Sequence, residues 1–176
     1  MSSEISLGTV AGLRLSARPS AVVASVFCWL FLSRLIARQL AVPRGRALVG
    51  GFLAVALHWA SDLAHHLGHA RAASGTGYPM TGVRFWGLIG TSLYPPDEPA
   101  LPGAVHRRRA LGGPIASLLL GLAALPVAGL LRGRGGLPAW LARFVVVENL
   151  GTLGLGAFMP LPVTDGGTLL RWRGKP

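Results

Sequence analysis

A chain of 176 residues in which 51% are hydrophobic and only 13% are charged is too apolar for an ordinary soluble domain of its size. Its net charge of +11 comes from 17 basic and 6 acidic residues, and the basic ones lie mostly between apolar runs. This arrangement is typical of membrane-flanking charges and argues against a nucleic-acid-binding patch. The single cysteine, Cys28, excludes an intrachain disulfide and a cysteine-based zinc site.

Four apolar segments are each long enough to cross a bilayer, which takes about 20 helical residues. The first has an apolar core after a basic neighbour, as a signal peptide does, but no small-residue cleavage site follows it, so we expect it to be retained. Outside the spans lie an N-terminal cytoplasmic segment, residues 1–19, and a basic tail, residues 171–176. The predicted spans cover residues 20–41, 47–73, 110–131 and 137–160.

The segment between the second and third spans, residues 75–110, is too polar and too rich in glycine and proline to cross the bilayer. Residues 83–89 have short strand character, and residues 94–99 form a turn-rich stretch. This pattern fits a membrane-skimming β-hairpin and an ordinary surface loop equally well. The expected fold class is therefore all-α and integral to the membrane, with about four transmembrane helices in a compact bundle and a short hairpin or loop between helices two and three.

Lysine and arginine are distributed unevenly between the two sides of the membrane. The side that holds both termini and the loop after the second span carries ten of them, and the opposite side carries seven. Because basic residues accumulate on cytoplasmic loops, we expect both termini in the cytoplasm, in a bacterial plasma membrane.

The second span ends in two histidines at metal-binding spacing. His65 and His69 are four residues apart, so on a helix they can present both rings to one ion. Asp165 follows the fourth span, and two crossings separate the two exits, so all three side chains reach the same leaflet, expected to be the cytoplasmic one. Two imidazoles and one carboxylate leave a fourth position open for water, as in a catalytic Zn²⁺ site. The alternative is that the histidines only form hydrogen bonds between packed helices or lie at the membrane interface.

Three more polar residues of this span are candidates for supporting roles. His66 stands where the usual metalloprotease helix, His-Glu-x-x-His, has its general base. Its imidazole can act as a base near neutral pH, but a nearby cation opposes protonation, so a packing role is favoured. We expect His58 and Asp62 on the same face as the histidine pair. Asp62 can orient His65 or activate water, and His58 can form a buried hydrogen bond or part of a polar path.

Three motifs together resemble the signature stretches of the site-2 protease family of intramembrane zinc metalloproteases. They are residues 65–70, 112–117 and 159–167, in the family's order and separation. The resemblance implies Zn²⁺ bound by His65, His69 and Asp165, cleavage near the cytoplasmic boundary, and a hairpin that pairs with an unwound substrate segment. The resemblance covers about residues 47–167, and we expect residues 20–170 to form a single membrane-embedded metalloprotease-like core.

This chain departs from the family pattern at two positions. His66 replaces the catalytic glutamate, whose general acid–base help is worth roughly 10² to 10⁴ in rate. Ala157 stands where an asparagine commonly precedes the Pro-x-Pro stretch, a position associated with binding the substrate strand.

The sequence therefore supports the hypothesis of a zinc-binding intramembrane metalloprotease that cleaves transmembrane segments of membrane proteins, with turnover impaired by the missing base. The alternative is a non-catalytic pseudoprotease that binds zinc and membrane-protein partners. Both involve the lipid bilayer and a substrate or partner helix, and neither involves nucleic acid. A membrane di-iron oxygenase is excluded, because it needs about eight nitrogen ligands and the chain has five histidines. Substrate-binding residues and oligomeric state are left open.

Overall fold

The structure, a computed structural model, describes residues 4–175 and consists of a helical bundle with a small β-sheet packed on one helix. Four helical segments are long and apolar enough to cross a membrane, which confirms the predicted helical membrane bundle. They are α1 (Pro19–Leu40), α2 (Arg44–Ser74), α3 (Gly103–Arg132) and a fourth segment that begins as α4 (Gly136–Val147). A short helix, α5 (Asp165–Arg171), follows it.

The fourth segment changes its helical type along its length. After α4 the chain continues as a π-helix over Glu148–Leu155 and ends in a 3₁₀ turn over Gly156–Phe158. Wide helical turns of this kind occur frequently at functional sites. The unusual backbone therefore lies in the span that leads to Asp165.

Helix α3 begins earlier than the sequence predicts. It starts at Gly103, directly after Pro102, and not near residue 110, so the end of the predicted loop is helical. The predicted span, residues 110–131, lies within this helix, whose first seven residues, Arg107 among them, precede that span. At 1.5 Å per residue, its 30 residues extend about 45 Å, more than the roughly 30 Å of hydrocarbon in a bilayer.

The described residues contain four strands, β1 (Ile5–Val10), β2 (Leu13–Ala17), β3 (Gly82–Trp86) and β4 (Ile89–Leu93). They form one sheet in the order β1-β2-β3-β4. The antiparallel pair β3 and β4 is the predicted hairpin between helices two and three, so this part of the fold prediction is confirmed. Strand β2 pairs with β3 in parallel. Strand β1 pairs with β2 in antiparallel orientation, through a turn at Ala11 and Gly12, both of which have positive φ angles.

The N-terminal segment contains strands that the sequence analysis did not predict. Of the predicted cytoplasmic segment, residues 1–19, the first three lie outside the described residues, and residues 5–17 form half of the sheet. Leu13, Leu15 and Ala17 alternate with more exposed neighbours and bury their side chains against the hairpin and α2. This short alternation is visible in the sequence, but its partner strand lies more than 60 residues away.

Close helix contacts depend on small residues. Gly68 of α2 lies against the backbone of Gly112 in α3, where a Cβ on either residue would overlap the other helix. A second buried cluster joins α1, α2 and α4 through Leu32, Ile36 and Trp140. The contact of Gly68 with Gly112, together with the buried cluster between the sheet and α2, holds the C-terminal half of α2 between the sheet and α3.

Candidate metal centre

His65, His69 and Asp165 converge in the structure, with one possible ligand atom from each lying within 4.8 Å of the other two. The Nε2 atoms of the two histidines are 3.0 Å apart. The Asp165 carboxylate places Oδ2 3.3 Å from Nε2 of His65 and Oδ1 3.4 Å from Nε2 of His69. The two imidazoles are buried, and 16% of the Asp165 side chain is exposed. The residues predicted as metal ligands are therefore neighbours, and their binding of an ion stays a prediction.

Asp165 is held in place by the start of α5. Thr164 caps this helix, since its hydroxyl oxygen accepts a hydrogen bond from the main-chain N–H of Gly167. Gly166 and Gly167 pack on the carbonyl groups of the preceding loop, where any Cβ would overlap the backbone. The Thr-Asp-Gly-Gly sequence thus permits the tight turn that returns the carboxylate to α2.

In both proposed histidine ligands, Nδ1 contacts another protein group. Nδ1 of His65 lies 3.0 Å from the hydroxyl of Ser117, which is fully buried. Nδ1 of His69 donates to the carbonyl oxygen of Arg109 at 2.8 Å. A donor proton on Nδ1 leaves the Nε2 lone pair free for an ion. Sequence reasoning did not predict these two partners, although Ser117 ends one of the motifs that carry the family resemblance.

Gly113 makes room for the histidine pair. A Cβ at this position would overlap the Nε2 atoms of His65 and His69, so α3 can approach the proposed ligands only where it has no side chain. Ser117 follows one helical turn later on the same face. The sequence from Gly112 to Ser117 therefore provides both the space and the hydrogen-bond partner.

The Asp165 carboxyl group is acidic in this setting. Burial acts to raise its pKa, but the adjacent imidazoles of His65 and His69 outweigh burial and lower the pKa to about 2. A carboxylate that is ionised at neutral pH is the form that binds a metal ion.

His66 faces strand β4. Its Nδ1 lies 3.0 Å from the hydroxyl of Ser92, and its Nε2 lies 3.7 Å from Oδ2 of Asp62. Asp62 therefore neighbours His66, while Ser117 contacts Nδ1 of His65, and a role of Asp62 in orienting His65 or activating water stays a prediction. Side chains four residues apart stack on a helix, and β4 approaches α2 on this side.

His58 connects three elements at a deeper level of the bundle. Its Nδ1 lies 2.7 Å from Oε1 of Glu148, the first residue of the π-helix, and its Nε2 lies 3.0 Å from the carbonyl oxygen of Leu88 in the hairpin turn. His58 therefore forms hydrogen bonds to the fourth helical segment and to the hairpin turn.

The position that departs from the family pattern, Ala157, lies in the 3₁₀ turn. A different residue, Asn149, is fully buried in the π-helix and donates from Nδ2 to the hydroxyl of Ser61 at 2.8 Å. Sequence reasoning missed this contact between the second and fourth spans. The indication of this contact in the sequence was an amide side chain within a mostly apolar run.

Arg109 anchors the loop between β4 and α3. Its guanidinium binds both carboxylate oxygens of Glu98, at 2.5 and 2.9 Å, and donates to the carbonyl of Tyr78. It also lies 3.9 Å from the centre of the Tyr94 ring. Only 5% of Arg109 is exposed, so the residue whose carbonyl holds His69 also fixes the loop beside it.

Two buried imidazoles and one carboxylate form a donor set that suits zinc, and three protein ligands are the number that a catalytic zinc site uses. The residues present therefore fit Zn²⁺.

No protein-family model matches this chain, and no curated protein matches it. Among solved structures, it is similar to the site-2 protease from Methanocaldococcus jannaschii, with a TM-score of 0.64 and 17% sequence identity. The match covers 96% of this chain and 70% of that protein. The chain has a site-2 protease fold. At this level of identity the likeness establishes the fold, and it agrees with a multi-pass membrane protein of four spans.

Proposed function

We propose that this chain is a site-2-protease-like zinc metalloendopeptidase that acts on transmembrane segments of membrane proteins, with low turnover because His66 replaces the general base. The observation that carries the proposal is the convergence of His65, His69 and Asp165 with the remaining ring nitrogens held by Ser117 and Arg109. This site stands on a fold similar to that of the site-2 protease from Methanocaldococcus jannaschii, and the function is argued from the site because one fold can host unrelated activities.

The proposed roles follow from the contacts of each side chain. His65 and His69 bind the ion through Nε2, and Asp165 contributes the negative charge that offsets part of the charge of a dication. A bound zinc ion supplies an activated water and polarises the scissile carbonyl. Because Gly113 has no side chain, α3 leaves room for the Nε2 atoms of both histidines.

His66 supports a second candidate function, a pseudoprotease that binds zinc and membrane-protein partners without cleaving them. Its Nδ1 lies 3.0 Å from the hydroxyl of Ser92, and its Nε2 lies beside the Asp62 carboxylate, 3.7 Å from Oδ2. A general base must be directed at the water from which it accepts a proton. Because the neighbours of this imidazole are Ser92 and Asp62, its placement supports weak or absent turnover.

Metal content tests the zinc proposal. We expect one zinc ion per chain in protein purified without chelators, and loss of zinc in His65→Ala and Asp165→Ala. His106→Ala is the matched control, because His106 stacks on Trp172, 4.0 Å between ring centres, outside the donor set. Metal-free wild-type protein would refute the proposal.

Cleavage of a reconstituted transmembrane substrate separates the protease from the pseudoprotease. Wild type, His66→Ala and His66→Glu are compared at equal zinc content. A restored general base predicts a gain of roughly 10² to 10⁴ in rate for His66→Glu. Equal, undetectable cleavage in all three proteins would favour the pseudoprotease.

We also propose that both termini and the metal centre face the cytoplasm of a bacterial cell. In a Cys28→Ser background, single cysteines at Lys175 and Gly133 lie at opposite ends of the bundle, since they follow α5 and α3 respectively. A membrane-impermeant thiol reagent added to intact cells is expected to label position 133 and not position 175. The reverse pattern would overturn this orientation.

A further inference from the structure

Strand β4 runs alongside α2 and is held near both of its ends by histidines of that helix. His58 contacts the carbonyl of Leu88, just before the strand, and His66 contacts the hydroxyl of Ser92, near its end, each at 3.0 Å. Eight helical residues rise about 12 Å, and four strand residues extend about 13 Å. The two imidazoles are therefore spaced to match the strand.

The middle of β4 packs directly on the side chains of Asp62 and His66 in α2. A Cβ at Gly90 would overlap the ring of His66 and would lie 2.6 Å from Oδ2 of Asp62. Within residues 4–175, this Oδ2 atom is buried and has no hydrogen-bond partner. No larger residue than glycine fits where β4 meets α2 at this point.

We propose that His58, Asp62 and His66, called here the docking stripe, fix the depth and register of β4 on α2. In this proposal His66 is a positioning residue for the strand, at the place where the site-2 protease motif has its glutamate. Glu148, 2.7 Å from the other ring nitrogen of His58, fixes the orientation of that imidazole and ties the stripe to the fourth span.

The position of β4 matters because β4 is an edge strand of the sheet and lies beside the candidate metal centre. An extended segment of a membrane-protein partner that adds to this edge is placed relative to His65 and His69 by the depth of β4. The consequence for partner binding rests on the proposed function, whereas the position of the strand can be measured without it.

Hydrogen exchange of the full chain in lipid nanodiscs tests the docking stripe. Loss of one hydrogen bond, worth about 1 kcal/mol, predicts an increase of about fivefold in the exchange rate of amides in residues 89–93 for His66→Phe and for Ser92→Ala. His66→Gln, whose amide can still bond Ser92, is expected to retain most of the protection. Strand β1, which contacts neither residue, is the internal control.

The double variant identifies the contact. If His66 holds β4 through Ser92, His66→Phe combined with Ser92→Ala exchanges no faster than either single variant. Full, independent effects of the two changes would overturn the proposal, as would wild-type exchange of β4 in His66→Phe. Ser92→Ala removes a single hydroxyl and provides the test if His66→Phe fails to fold.

Zinc measured in the same samples distinguishes the two proposals. Wild-type protein with a protected β4 and no zinc refutes the metalloprotease and leaves the docking stripe intact. Protein that binds zinc while β4 exchanges equally in wild type and His66→Phe refutes the docking stripe alone.

Discussion

The carbonyl oxygen of Arg109 lies 2.8 Å from Nδ1 of His69, so the arginine that anchors the loop before α3 also orients a proposed zinc ligand. Its side chain binds Glu98 and the carbonyl of Tyr78, while its main chain faces the histidine. Arg109 therefore links the position of the loop before α3 to the orientation of His69.

Replacing Arg109 with alanine is expected to weaken zinc binding by roughly tenfold, although the side chain does not touch the site. The carbonyl remains, but the first turns of α3 lose the contacts that fix them, and groups that orient a ligand commonly contribute 10- to 100-fold to metal affinity. The measurement is the rate at which zinc is lost to a chromogenic chelator. Arg108→Ala, at an exposed neighbouring position, is the control. Equal rates of zinc loss in the two variants would contradict the link between the Arg109 contacts and zinc binding.

Ser117→Ala is expected to lower zinc affinity by about 10- to 100-fold, because Nδ1 of His65 loses its partner and the ring loses its fixed orientation. Competition with a chelator of known affinity measures the change. Ser33→Ala serves as the control, since Ser33 is also buried but donates to the carbonyl of Trp29 within α1. Unchanged affinity in Ser117→Ala would show that packing alone orients His65.

Gly113→Ala is expected to abolish stoichiometric zinc binding while the helices persist. The added methyl group overlaps Nε2 of both histidines and forces them away from Asp165. Gly129→Ala in the same helix meets open space and should be neutral or slightly stabilising, by about 0.5 to 1 kcal/mol. Zinc content and circular dichroism of the two variants give the comparison, and a zinc-replete Gly113→Ala would refute the proposed geometry.

The pair between Glu98 and Arg109 predicts a pH-dependent contribution to stability. The hydrogen bond from Arg109 lowers the pKa of Glu98 below its ordinary value of 4.5. A lowered pKa in the folded state stabilises the protein above the ordinary pKa, and this stabilisation is lost as pH falls through the lowered value. Glu98→Gln should therefore lower the thermal midpoint by a few degrees at pH 7, and the difference from wild type should shrink below about pH 4.5.

Asp97→Asn is the matched control for this prediction, because Asp97 is the exposed neighbour of Glu98. Its thermal midpoint is expected to follow that of wild type at both pH values. A Glu98→Gln difference that persists undiminished in acid would mean that the ion pair is not its source.

Local sequence patterns were sufficient to predict the membrane spans and the shared helical face of His65 and His69. Apolar runs of bilayer length report the transmembrane helices directly, and a four-residue separation places two side chains on one helical face. Asp165 could be assigned to the same site because an even number of crossings returns the chain to the same leaflet. These inferences need only the composition, the helical periodicity and the number of membrane crossings.

Only the tertiary structure decided which neighbours each polar side chain has. The pairing of β2 with β3, the partnership of Ser117 with His65 and the contact of Glu148 with His58 each join residues more than 50 positions apart. Helical spacing indicates that His58, Asp62 and His65 share a broad face, but it says nothing of what approaches that face at each depth. Strand β4 approaches where Gly90 leaves room, so Asp62 lies beside His66, a relationship set by packing across the whole chain.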